Sequence, residues 1–296
     1  MLILAAHSAL AFSLAPGCSR TARPSCAATM VAAVLPTPPQ PKALTNRWEV
    51  HKFGGASLAT ADLYRECSDL LVAESTREKT GIPTMAIVSA KGGVTDRLIE
   101  TLNAAIDDID EAARLLKAVA DEQIEVVHAL ASSAVEAEVA AQIRADEEDI
   151  INVLRSASLI RQVPPEAVDL VTGFGEVWSA RTMHAYLKSE GIPTACLDAR
   201  EVVIVEQTGV GGLGEKGSAN VAGTDPLWDV SAERLVEWFA RPENEVLLSN
   251  SDPDAVPVVV VTGFVAATLE GSPTTLKRSG SDYSATIFAK LFGGFI

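Results

Sequence analysis

Apolar positions divide this chain into short continuous runs and longer segments of helical period. "WEVHKFGG" reads as a strand over 48–53 that runs into a Gly-Gly turn. "TADLYRECSDLLVAES" shows helical spacing through Leu63, Cys67, Leu70 and Leu71. "TMAIVSA", 84–90, is an apolar run ended by small residues and suits a buried parallel strand. A helical period then holds over about 96–161, with Leu98, Leu102, Ala105 and Ile106 on one face and acidic residues opposite. After "QVPPEAVDLVTGFGE", with its glycines read as a tight turn, another helix runs through Trp178, Met183 and Leu187. "PTACLDA" and "EVVIV" are strand-like, and "SAERLVEWFA" is a short amphipathic helix with Ser231 as its cap. "VPVVVVTGF", 256–264, is the strongest buried-strand signal. Strands alternating with helices predict an α/β layer architecture with a mostly parallel sheet. Ligands in such sheets bind beyond the carboxyl ends of the strands.

The loops after these strands hold the candidate chemistry. "KFGGAS" sets Lys52 beside Gly54 and Gly55, whose amides can approach an anion closely, although the spacing is not that of a Walker loop. "SAKGGVTD" offers Ser89, Lys91 and Thr95 at a strand end. "GFGEVWSA" puts Glu176 after a glycine turn at a helix start, either as a dipole-favoured acid or as a carboxylate aimed at an ammonium group. "TTLKRSGSDYSA" brings Lys277 and Arg278 before a helix that opens with Ser281 and Asp282, and an arginine there can take a carboxylate bidentately. Each loop alone has a plain structural alternative. "TGVGGLGEKGSAN", 208–220, contains a GxGGxG string, but no helix starts there to receive a pyrophosphate, so it reads as a surface insertion. His51, His128 and His184 show no metal spacing.

Composition narrows the classes. Of 296 residues 48% are hydrophobic and 21% charged, enough for a sizeable core. The net charge of -15 and the lack of any basic run longer than "KR" argue against nucleic acid or an anionic membrane as main partner. Before Trp48 there is no acidic residue, only Arg20, Arg23, Lys42 and Arg47 in an apolar then Ala/Ser/Thr/Pro-rich tract. That profile predicts a removable leader over 1–46, and its "SALAFSLAP" join resembles the bipartite plastid leaders of algae with secondary plastids. Outside it, Cys67 and Cys196 show no CxxC or metal pattern, which suits buried thiols in a reducing compartment.

Taken in order, "VHKFGGAS", "VSAKGGVTD", "GFGEVWSA", "LDAREVVIV", "VVTGFVA" and "TTLKRSGSDYSA" resemble aspartate kinase, most closely the kinase part of plant-type bifunctional aspartate kinase–homoserine dehydrogenase. The resemblance covers 48–292. It implies a three-layer αβα amino-acid-kinase fold and transfer of the ATP γ-phosphate, with Mg²⁺, to the side-chain carboxylate of L-aspartate. It implies Lys52, Phe53, Gly54 and Gly55 at the ATP phosphates, Asp282 orienting Lys52, and Glu176 on the aspartate ammonium. Arg278 would clamp a substrate carboxylate, Ser281 and Thr95 would contact the substrate, and Ser89 and Phe264 would shape the pocket. No protein side chain is expected to bind metal directly, and the full-length protein is expected to be a homo-oligomer. Ala56 and Ser279 depart from the family's usual residues. In the family a further strand and loops follow the "GSDYSA" helix and hold most of the nucleotide, then regulatory and dehydrogenase domains. With "LFGGFI" as the last residues, the resemblance implies a partial kinase domain over 47–296, incomplete at its C-terminus and inactive alone. A non-catalytic aspartate-binding subunit and another amino-acid kinase remain as alternatives.

Overall fold

The structure, a computed structural model, describes residues 48–76, 82–206, 225–247, 256–277 and 279–293. The segment read as a leader, 1–46, and the glycine-rich string at 208–220 lie outside these residues, as does Arg278. In chain order the elements are β1 (Glu49–Phe53), α1 (Ala61–Thr76), β2 (Thr84–Val88), α2 (Val94–Ala104), α3 (Ile109–Leu130), α4 (Ser133–Ile160) and α5 (Pro165–Ser189). They continue as β3 (Thr194–Leu197), β4 (Ile204–Val205), α6 (Trp228–Phe239), β5 (Val258–Thr262), β6 (Val265–Thr268), β7 (Pro273–Thr275) and α7 (Gly280–Leu291).

A four-stranded parallel sheet in the order β1-β2-β5-β3 forms the middle layer. β2 and β5 are buried at every position, which their unbroken apolar sequences require. Alternate strand residues face opposite layers. Val50, Met85, Ile87, Val259 and Val261 meet α6 and α7 through Leu235, Phe239, Ile287 and Phe288. Ala86, Val88, Val258 and Val260 meet α1, α3 and α5 through Tyr64, Leu71, Val126 and Met183. The result is the three-layer α/β/α arrangement. A further core joins α2, α3, α4 and α5, centred on Leu98, Leu116, Ile143, Leu154 and Trp178. No described helix is long and apolar enough to cross a membrane.

Several local expectations change. The single helical stretch over 96–161 is three helices, with Asp108 capping α3 by accepting hydrogen bonds from the amides of Asp110 and Glu111. The buried face of α1 is Tyr64, Ser68, Leu71 and Ser75, while Leu70 is exposed. Ser68 and Ser75 donate to carbonyls of their own helix and so can be buried without apolar side chains. Ser231 is not a cap. It lies inside α6, where its Oγ accepts a hydrogen bond from the Ile204 amide. The segment after β5 is an antiparallel hairpin of β6 and β7, with β4 parallel to β6 in a separate three-stranded sheet.

Candidate active site

The carboxyl ends of β1, β2 and β5 are locked together before any side chain is considered. The Ser89 amide donates to the Phe53 carbonyl and the Gly263 amide to the Val88 carbonyl, at 3.0 and 2.8 Å. Above them opens a cleft of about 870 Å³, walled by the loops after these strands, by α5 and by the start of α7. Lys52, Gly55, Ser89, Thr95, Glu176, Phe264, Ser281 and Asp282 all line it. Gly54 is not among its walls, and the Phe53 ring is buried with Leu58 and Tyr64.

Close backbone approach builds the floor. A Cβ on Gly55 would lie 2.8 Å from the Ala90 carbonyl oxygen, so the two glycine turns can touch only with glycine there. A Cβ on Gly263 would lie 2.8 Å from both Ser281 and the Val88 carbonyl oxygen. Phe264 then adopts φ 66°, and Lys277 and Ser279 follow at 61° and 60°. These are left-handed conformations that a non-glycine residue holds only under constraint. For Phe264 the constraints are visible. Its amide donates to Ser284 Oγ at 2.9 Å and its carbonyl accepts from the Leu276 amide at 2.7 Å.

Among the described residues, Glu176 is the most deeply buried acidic or basic side chain of the cleft. The glycines before it make no turn. α5 starts at Pro165, with proline in its first turn, and runs unbroken through Gly173, Gly175 and Glu176. Glu176 therefore lies about three turns in, beyond the reach of the helix-end dipole. The glycines serve packing: a Cβ on Gly173 would lie 2.8 Å from Val265 Cγ1, and one on Gly175 2.8 Å from Ala90 Cβ. The Glu176 side chain is 4% exposed and its Oε2 has no hydrogen-bond partner. Burial pushes its carboxyl up to about 8, against the opposing pull of a hydrogen bond from the Ala90 backbone.

Cations line the same cleft. Lys52 Nζ is 2.9 Å from Asp282 Oδ1, which ties the end of β1 to the first turn of α7. Lys277 Nζ is 2.8 Å from Asp169 Oδ2. Asp169 also accepts from the hydroxyls of Thr274 and Thr275, each at 3.0 Å, and so pins β7 to α5. Sequence reasoning missed Asp169, because its partners lie more than a hundred residues away and form no local motif. It also gave no site role to Ile99 or Asp96, which line the same cleft from α2. His128, by contrast, is exposed on α3 and paired with Glu136.

A parallel α/β/α core with a lysine, glycine turns and a buried carboxylate at the strand ends belongs to a known class. The sequence model of the amino acid kinase family matches residues 47–294, and the chain belongs to that family. Within it, the chain is 30% identical over 244 residues to the chloroplastic bifunctional aspartokinase/homoserine dehydrogenase 1 of Zea mays, covering 82% of this chain and 24% of that one. It is also 30% identical over 252 residues to bifunctional aspartokinase/homoserine dehydrogenase 2 of Escherichia coli (strain K12), covering 83% and 26%. The chain thus spans about a quarter of the length of these relatives. In fold it is similar to E. coli aspartokinase III in complex with aspartate and ADP (R-state), with a TM-score of 0.65 at 21% identity, over 84% of this chain and 47% of that one.

Proposed function

We propose that this cleft is the amino-acid side of an aspartate kinase site. The reaction is attack of the side-chain carboxylate of L-aspartate on the γ-phosphorus of ATP, with loss of ADP and formation of 4-phospho-L-aspartate, the first step toward the aspartate-derived amino acids. The observation that carries this reading is Glu176, a buried carboxylate with one oxygen unpartnered, lining the same cleft as lysines. A buried carboxylate in that condition is stabilised by a donor-rich cation such as an α-ammonium group. The aspartokinase names of the similar proteins support the choice of amino acid.

Phosphoryl transfer is mainly positioning and charge stabilisation. Lys52, oriented by Asp282, neutralises oxygens of the transferring group beside the Gly54–Gly55 turn. Arg278 clamps a substrate carboxylate, while Thr95 and Ser281 contact the amino acid and Ser89 and Phe264 shape its pocket. Bound to the ATP phosphates, Mg²⁺ would supply screening of their charge. Exposed Asp96 and Asp282 line the cleft and could hold the waters of such an ion. We place the kinase domain at 47–296 after a leader at 1–46, and the protein in the plastid, as the chloroplastic names of relatives suggest. Homo-oligomerisation of the full-length protein belongs to the same reading.

Calorimetric titration with L-aspartate tests the core of this reading. Glu176→Gln keeps the shape and removes the charge. It should weaken binding by about 2 kcal/mol, roughly 30-fold, with an unchanged far-UV dichroism spectrum. Equal affinity in wild type and variant removes Glu176 from the amino-acid site.

A further inference from the structure

Among the described residues, Lys52, Lys91 and Lys277 bring ammonium groups to the cleft, and they are held differently. Lys52 and Lys277 each have a carboxylate oxygen within 2.9 and 2.8 Å. Lys91 Nζ stands 3.6 Å from Glu122 Oε2, beyond hydrogen-bond distance. The other oxygen of Glu122 is taken by Arg97 at 2.7 Å, and it is chiefly this bond, with a smaller pull from Lys91, that holds the Glu122 carboxyl below its ordinary range. Lys91 is also the least exposed of the three, at 14% against 29% and 42%. An ammonium group withdrawn from water with only a shared, distant acceptor is under-compensated. It has donors to spare for an anion that enters the cleft.

Its place fits that use. Lys91 follows Ala90, whose amide reaches the Glu176 carboxylate. Its turn continues into Gly92, where an added Cβ would lie 3.1 Å from the Gly55 carbonyl oxygen, on the turn that follows Lys52. Lys91 therefore stands between the loop of the phosphate-facing lysine and the loop that supports the ammonium-facing carboxylate. Glu122, by contrast, projects from α3, is 46% exposed, and is not among the cleft walls.

We propose that Lys91 is a further substrate-binding cation of this cleft, which leaves Glu122 to hold an oxyanion of the bound substrate, either a carboxylate of the amino acid or a phosphoryl oxygen. The proposal rests on reading the cleft as an amino-acid kinase site. Its rival is a brace, in which the pair merely ties the β2–α2 turn to α3.

Calorimetric titration with L-aspartate and, separately, with inorganic phosphate tells the two apart. Lys91→Met should weaken binding of the anion Lys91 holds by about tenfold, with far-UV dichroism unchanged. Lys91→Gln should do the same and Lys91→Arg should largely restore it. Glu122→Gln removes the competing carboxylate and should bind that anion at least as tightly as wild type. A loss with Glu122→Gln as large as with Lys91→Met would establish the brace and overturn the proposal. So would affinities for both anions that ignore Lys91, or a wild-type cleft that takes neither. If phosphate binds in a Lys91-dependent way while L-aspartate does not bind, the aspartate reading falls and Lys91 stands.

Discussion

At the scale of single residues, Glu176 gives the site a pH signature. Its carboxyl is pushed up to about 8 because burial disfavours the charge more than the Ala90 amide supports it. The folded chain thus holds this proton between the ordinary carboxylate range and about pH 8, where the unfolded chain has lost it. Stability linked to this group is fully present at lower pH and declines as pH rises through that window. Binding has the opposite sign. An ammonium ligand needs the ionised carboxylate, so at pH 7 its binding must expel the proton, and affinity rises with pH up to about 8. Titrations at pH 7 in two buffers of different ionisation enthalpy should show release of a proton in the wild type and none in Glu176→Gln. Equal apparent enthalpies in the two buffers for the wild type would mean that Glu176 is already ionised, and the proposed linkage would be lost.

At the scale of elements, the glycines of α5 set a contest between propensity and packing. Replacing a mid-helix glycine by alanine ordinarily stabilises by about 1 kcal/mol. At Gly175 the new Cβ would meet Ala90 Cβ at 2.8 Å and Val94 Cγ1 at 3.3 Å. Ala90 Cβ has no side-chain freedom with which to yield, so its backbone must move, at an overpacking cost of about 1–3 kcal/mol. Gly175→Ala should therefore be neutral to destabilising by up to about 2 kcal/mol in urea unfolding, and should weaken L-aspartate binding by displacing the Ala90 amide. Gly173→Ala meets only Val265 Cγ1, the tip of a side chain, and should cost less. A clear gain in stability at Gly175 would refute the packing account. The same glycines show what the sequence hides. β2 and β5 were legible because burial on both faces leaves an unbroken apolar run. A glycine signals either a turn or a close approach, and the approaching residues, Ala90 and Val265, lie far away in the chain. The helical spacing located α1 but not its buried stripe, because its buried serines satisfy themselves locally. The left-handed conformations fall on Phe264, Lys277 and Ser279, not on the neighbouring Gly263 and Gly280 that mark these turns in the sequence. Asp169 is recognisable only once α5 and β7 are side by side.

At the scale of the whole molecule, α7 joins β1 at both ends, by different forces. At the cleft end Lys52 pairs with Asp282, whose side chain is 64% exposed. At the far end Phe292, just past α7, packs edge-on against Trp48 and Phe239 at centroid distances of 5.2 and 5.4 Å, with Trp48 and Phe292 each 1% exposed. An ion pair as open to water as this contributes about 0–1 kcal/mol. Truncating a buried phenylalanine costs about 3–5 kcal/mol, and loss of its edge contacts falls within that figure. The aromatic end should therefore hold the helix, while the ionic end serves the site. Urea unfolding of Phe292→Ala should show a loss of about 3 kcal/mol or more, and Asp282→Asn a loss of less than about 1 kcal/mol. If Asp282→Asn proves the more damaging to stability, the Lys52–Asp282 pair is a structural clamp. Its assignment to orienting Lys52 for phosphoryl transfer would then lose its physical basis.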